Sequence, residues 1–363
     1  MPLCQQNIQN RIPGLDLCRA AAVLMVLTCH WSAHFGAWLG IPVPDVLDFV
    51  GDTGVDLFFA LSGFLIGRIL IRMVERRADW RDLRVFLIRR AMRTLPLYFL
   101  CLAILLTFFP PHDGAGHTAL RYLTLTQNLI APMPADHYFA VTWSLAIEEW
   151  FYLLFGGGLM LLSRRIGGKA AVPVCAALFM IVPFLARLTF ADKPYLVYTR
   201  LDEIAYGVLA AWLYARQSRL FLYPAVALAV GAALIVLAGS GLLPAALVPN
   251  VTVTGCAACL PAALRFGYAG SWLSVPVRWL ASRSYAIYLI HLTILNDVVE
   301  TGLVTTGLVS PLPGIAIAMT LPLLLAELSY RYFETPLLRW RPEHYGPTVA
   351  HLSTAVAIRP RAT

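Results

Sequence analysis

The sequence predicts an all-α polytopic integral membrane protein of about ten transmembrane helices, with both termini cytoplasmic. Three observations predict it. Of 363 residues, 59% are hydrophobic and 13% are charged, against about 25% charged in a soluble domain. Mean hydropathy is +0.70. Ten apolar runs follow one another along the chain, and arginine and lysine gather between alternate runs.

The first run, 15–36, follows a polar segment, Met1 to Asn10, without the basic n-region of a signal peptide. It therefore reads as a retained span. The other nine are placed near 52–74, 94–109, 140–162, 171–190, 201–215, 220–239, 248–266, 277–299 and 313–336, taking about 20 apolar residues per span. The third and sixth are short and are expected to extend into their flanks. Residues 118–131 suggest an extra interfacial or re-entrant helix.

The positive-inside rule tests this count. With an even number of spans and both ends inside, 24 of the 28 Lys and Arg residues fall on the inner side. Arg121, Arg187, Lys193 and Arg200 fall outside. One span more or fewer would scramble the alternation. Residues 1–340 read as one membrane domain, and 341–363 as a short cytoplasmic tail expected to be disordered. The net charge of +8 marks a basic membrane-facing side, with anionic lipid as partner. No basic-aromatic pattern of the RNA-binding kind accompanies it, so no nucleic acid partner is expected. Seven cysteines are scattered. Cys256 and Cys259 have CxxC spacing but lie in an apolar span without a second pair, so they read as packing residues.

Ionisable residues inside spans mark sites or pathways. Arg19 and His30 are eleven residues apart in the first span. At ~100° per residue they share one helix face, about 16 Å apart along the axis. Asp16 stands at i−3 from Arg19 and is placed to hold it. In the second run Asp52 and Asp56 are spaced i,i+4. Gly63 and Gly67 form a small-xxx-small pair for close helix packing. Nine arginines and no lysines lie between Arg68 and Arg93. The last three, Arg89, Arg90 and Arg93, lead into the third span. Planar guanidiniums suit bidentate phosphate binding, and coenzyme A is a cytoplasmic carrier with several phosphate charges.

The fourth run carries a polar stripe, Ser144, Glu148 and Tyr152, at i,i+4 spacing. Ser284, Tyr288 and His291 share a face of the ninth. Glu327 and Arg331 pair at i,i+4 in the tenth. Arg200, Asp202 and Glu203 open the sixth and are expected to pair between helices.

Together these pieces resemble acyltransferase family 3, the bacterial integral-membrane O-acyltransferases. The resemblance runs from Arg11 to about Trp340. Its carriers are Arg11-Ile-Pro-Gly-Leu-Asp16 through Arg19-x10-His30, and Gly54-Val-Asp-Leu-Phe-Phe-Ala-Leu-Ser-Gly-Phe-Leu-Ile66. Others are Arg89-Arg90-x2-Arg93-x2-Pro96-x-Tyr98 and Thr142-Trp-Ser-Leu-Ala-Ile-Glu-Glu149 with Phe151-Tyr152. Ser284-Tyr-Ala-Ile-Tyr-Leu-Ile-His291 and Glu334-Thr-Pro336 complete the set. Glu149-Trp150 departs from the Glu-Gln often found in relatives.

The resemblance implies an enzyme that moves an acyl group, commonly acetyl, from cytoplasmic acyl-CoA to a hydroxyl of a glycan or exopolysaccharide. It implies a multi-pass location in the bacterial inner membrane. Acyl-CoA is expected as co-substrate, with no permanently bound cofactor and no metal. Many relatives carry a further soluble esterase-like domain. None is visible here, so delivery is expected within the membrane domain. His30 is expected as general base, with Glu148 or Asp56 orienting it. Arg19, Arg89, Arg90, Arg93, Ser62, Trp143 and Tyr288 are expected to bind substrate. The competing class is a proton-coupled transporter, in which buried carboxylates and histidines form a relay. Binding of acyl-CoA separates the two.

Overall fold

A computed structural model of the chain describes residues 12–111, 115–129, 138–190, 195–218, 221–267 and 271–342. Arg11 and nearly all of the expected tail lie outside these residues. The described residues contain helices and no strand.

Each of the ten apolar runs lies on a helix. The helices are α1 (Pro13–Leu39), α2 (Val46–Glu75), α3 (Trp80–Phe108), α5 (Thr142–Ile166), α6 (Gly168–Thr189), α7 (Val197–Ala215), α8 (Pro224–Gly239), α9 (Val248–Arg265), α10 (Ser274–Thr293) and α11 (Pro311–Ser329). Between α3 and α5 lies α4 (Ala115–Leu123), where the extra helix was expected, followed by turns. Beyond Thr293, α10 widens into a π-helical stretch, Ile294–Val304. Past Ser329, α11 continues through one π-helical turn to Trp340.

Eight of these helices, with their extensions, are long and apolar enough to cross a membrane, which makes the chain a multi-pass membrane protein. The other two are α7, whose first turns carry Arg200, Asp202 and Glu203, and α8, which has 16 residues.

The third span starts fourteen residues earlier than the apolar run. Asp79 accepts from the amides of Arg81 and Asp82 at 2.8 and 3.1 Å, and Asp82 accepts from the Asp79 amide at 3.0 Å. This capping box satisfies amides that a helix start leaves unpaired. It carries the helix through the arginine-rich stretch, so Arg89, Arg90 and Arg93 stand within α3.

The helices pack through small residues. A Cβ on Gly63 would stand 2.0 Å from the Ile204 carbonyl oxygen, and one on Gly207 2.3 Å from that of Ala60. The expected Gly63–Gly67 face therefore meets α7, where Gly67 lies against Val208 and Ala211. Backbone touches backbone, which only glycine permits.

Buried charges tie α7 to its neighbours. Arg200 donates to Glu203 at 2.5 Å and to Asp56 of α2 at 3.2 Å. Asp202 accepts from Arg187 of α6 at 2.5 and 2.9 Å and from Asn250 of α9 at 2.7 Å. The expected interhelical pairing of Arg200 and Asp202 is present. Glu327 accepts from Arg331, as expected, and from Arg283 and Trp279 of α10 at 2.7 Å.

The basic helix ends converge. Arg68 near the end of α2 lies over the Tyr214 ring of α7, and Arg164 near the end of α5 over Trp80 at the start of α3. Arg265 at the end of α9 donates to the Phe221 carbonyl ahead of α8. The charge alternation read from the sequence is thus a shared basic end of the bundle.

The α2–α7 crossing yields a direct expectation. Gly63→Val forces two helices apart and should cost roughly 1–3 kcal/mol. Gly157→Val is the control, since a Cβ there meets nothing within 4 Å. Thermal unfolding in detergent should show a clear loss for the first and little change for the second.

Candidate functional site

At the basic end the helices leave a cavity of about 950 Å³, its open mouth included. It is bounded by α1, α2, α3, α5 and α10. Arg19, Arg90 and Arg93 line it. Arg19 donates to Asp16 at 2.9 Å, so the expected i−3 contact holds its rotamer. Arg90 lies over the rings of Phe86 and Tyr152 at 5.8 and 6.0 Å. Deeper in, the wall carries Ser62, Glu148 and Tyr152, and Ser62 hydrogen bonds the Tyr152 hydroxyl at 2.7 Å.

A second cavity of about 460 Å³ adjoins the first. Cys29, His30, Asp52, Trp143 and Tyr195 line it. Val55, Val141 and Tyr288 belong to both walls and stand between the two cavities. There the Tyr288 hydroxyl hydrogen bonds Ser144 at 2.8 Å and donates to the Val141 carbonyl at 3.1 Å. Arg19 and His30, which share one face of α1, therefore line the two cavities whose walls have Tyr288 in common.

The small cavity has an aromatic wall held from behind. The rings of Trp143 and Tyr195 lie 4.8 Å apart. The Arg200 guanidinium lies over both, at 5.0 and 6.0 Å. Asn128 donates to the carbonyls of Trp143 and Tyr195 at 3.1 and 2.7 Å.

His30 meets another histidine. Its Nδ1 lies 2.9 Å from Nε2 of His291 in α10. His291 is fully buried, and its Nδ1 lies 2.8 Å from the Tyr288 carbonyl and 3.2 Å from that of Ile287. One turn along α1, His34 turns Nδ1 to the His30 carbonyl and Nε2 to Glu300 of the π-helical stretch, at 2.9 and 3.1 Å.

The residues expected from sequence therefore separate into groups. Arg19, Arg90, Arg93, Ser62 and Glu148 line the large cavity, Trp143 and His30 the small one, and Tyr288 both. Asp56 is drawn away: it is 2% exposed and pairs with Arg200. Neither Asp56 nor Glu148 hydrogen bonds His30; His291 occupies that position. Arg89 does not line the cavity and instead donates to the Pro342 carbonyl.

Two residues escaped the sequence reading. His291 was placed on a face with Ser284 and Tyr288, but nothing local tied it to a residue 261 positions away. Arg341 was counted as topology. Its Nε and one Nη are buried without a hydrogen-bond partner among the described residues. Burial, with Arg93, Arg89 and Arg90 beside it, pushes its guanidinium down to about 10. It remains a cation at neutral pH, set among like charges. An anion with several charges is the chemistry that such a cluster fits. No group of three or more His, Cys, Asp or Glu side chains is placed to hold a metal ion among the described residues.

The model of the family described as an acyltransferase domain matches residues 12–330. Curated relatives align over 90% of the chain. "Peptidoglycan O-acetyltransferase OatA" of Listeria monocytogenes is 25% identical, "Putative peptidoglycan O-acetyltransferase YrhL" of Bacillus subtilis 28%, and "O-acetyltransferase OatA" of Staphylococcus aureus 27%. The aligned part covers 56, 55 and 57% of those proteins, so the chain spans a little over half their length. No solved structure matches. With the match running over nearly every helix that builds the two cavities, the chain belongs to acyltransferase family 3.

Proposed function

We propose that this chain is a membrane O-acyltransferase that moves an acyl group, acetyl first among them, from acyl-CoA to a hydroxyl of a glycan. One observation carries the reading: a cavity lined by guanidiniums shares a wall, at Val55, Val141 and Tyr288, with a smaller one lined by an imidazole. The relatives' names, O-acetyltransferases with two of the three named for peptidoglycan, support an acetyl group and a glycan acceptor.

In this reading Arg19, Arg90, Arg93 and Arg341 hold the phosphates of coenzyme A. Charge-assisted, partly buried contacts of this kind are stronger than neutral ones. The pantetheine arm lies along the large cavity, and about 16 Å of helix rise separates Arg19 from His30. The thioester end reaches Tyr288. The acceptor sugar enters the small cavity, where Trp143 and Tyr195 offer an apolar platform and Asp52 accepts from its hydroxyls.

The chemistry then balances with no further reagent. The acceptor hydroxyl gives its proton to His30 as its oxygen bonds to the thioester carbonyl carbon. The tetrahedral species collapses, the C–S bond breaks, and the imidazolium returns the proton to the leaving thiolate. The products are an ester and free coenzyme A, so no cofactor stays bound. General-base help of this sort is worth about 10²–10⁴-fold. The basic end faces the cytoplasm of a bacterial cell, where acyl-CoA is found, and its exposed arginines lie against anionic headgroups of the inner membrane.

Acetyl transfer from labelled acetyl-CoA to a glycan acceptor, measured on purified protein, tests the reading. His30→Ala should lower the rate by about 10²-fold or more, with coenzyme A binding retained; an unchanged rate refutes the base. A protein that does not bind coenzyme A in calorimetry points to the transporter instead. Arg341→Gln should raise the KM for acyl-CoA by about tenfold, the equivalent of ~1.4 kcal/mol, and leave kcat within about twofold.

A further inference from the structure

We infer that His291 is a positioning residue that fixes the tautomer of His30, so that the Nε2 of His30 carries the open lone pair. The inference rests on the proposed acyl transfer for its catalytic meaning, but not for its geometry.

The argument follows protons from the fixed end. Backbone carbonyls only accept. The Nδ1 of His291, 2.8 Å from the Tyr288 carbonyl and 3.2 Å from that of Ile287, must therefore carry a hydrogen. Neither ring makes an ion pair among the described residues, and His291 has no exposed surface. An imidazolium there would be a buried charge without a counter-ion, which is costly. His291 is thus neutral, and its Nε2 is an acceptor.

Nδ1 of His30 lies 2.9 Å from that acceptor and must donate to it. A neutral His30 then has its hydrogen on Nδ1 and a lone pair on Nε2. The ring lines the small cavity. Free imidazole side chains choose between two nitrogens; the bond to His291 removes the choice. The ring orientation is fixed at both ends, since α1 carries one histidine and α10 carries the other with its own carbonyl partners. The role is that of the group behind the histidine in a triad, filled by a neutral ring rather than a carboxylate.

A neutral partner has a chemical consequence. When His30 takes the acceptor's proton, the new positive charge is shared along Nδ1–H to the His291 lone pair and on to the carbonyl dipoles. No fixed negative charge is needed in a segment surrounded by lipid.

The test uses full-length protein in nanodiscs with ¹⁵N-labelled histidine, His30 being assigned by its absence in His30→Ala. Wild type should show His30 with a protonated Nδ1 and a bare Nε2. In His291→Leu that signal should revert to the Nε2-protonated form, with kcat down roughly 10²-fold and the KM for acyl-CoA within about twofold. In His291→Gln the amide oxygen can accept from Nδ1–H, and both the signal and most of kcat should return. A wild-type His30 protonated on Nε2 overturns the inference, whatever the activity. So does full activity in His291→Leu, or a His291→Gln as impaired as the leucine variant while unfolding at the wild-type temperature. If wild type transfers no acyl group, the proposed function fails, and the tautomer signals still decide the role of His291.

Discussion

Arg200 is the residue on which the arrangement depends. A guanidinium at 5% exposure is tolerable only with its charge met. Glu203 meets it from its own helix and Asp56 from α2. On its free face it carries the rings of Trp143 and Tyr195. One side chain thereby sets the register of α2 against α7 and supports the aromatic wall of the small cavity. Removing one partner of such a pair leaves an uncompensated charge and costs about 3–5 kcal/mol. The glycine contact of Gly63 with α7 brings the two backbones close enough for the pair to form.

The two ends of the bundle treat charge in opposite ways. Around the small cavity the buried cations are paired: Arg200 has Asp56 and Glu203, and Arg187 has Asp202. At the basic end Arg90, Arg93 and Arg341 are neighbours of one another, and two nitrogens of Arg341 are buried unpaired. The first pattern is structural glue. The second leaves binding energy for an outside anion, whereas the carboxylate of Asp56 is already spent on Arg200.

The fold was legible because length and hydropathy are local properties. Ten apolar runs became ten helices, and the arginine alternation became a shared end. The third run extends into its flank as expected, and it reaches back to Trp80 because Asp79 caps a helix that continues through charged residues. The site was half legible. Arg19 and His30 share a face by helix geometry alone, and α5 and α10 presented Trp143 and Tyr288 as expected. The partner of His30 was beyond reach because hydrogen-bond pairing between distant helices has no local signature. Asp56 and Glu148 looked apt as carboxylates, but one is consumed by Arg200 and the other lines the larger cavity. Arg341 follows the last span, where a basic residue is ordinarily read as topology.

The π-helical stretch after Thr293 has a consequence for register. In a regular α-helix, nine residues turn about 900°, so Glu300 would point away from the side that His291 presents. Wider π-helical turns swing it back by roughly a third of a circle, and Glu300 meets His34 on the same helix α1 that His291 meets at His30. Lengthening or shortening the segment from Ile294 to Glu300 by a single amino acid would therefore rephase one acid–imidazole contact without disturbing the imidazole pair below it.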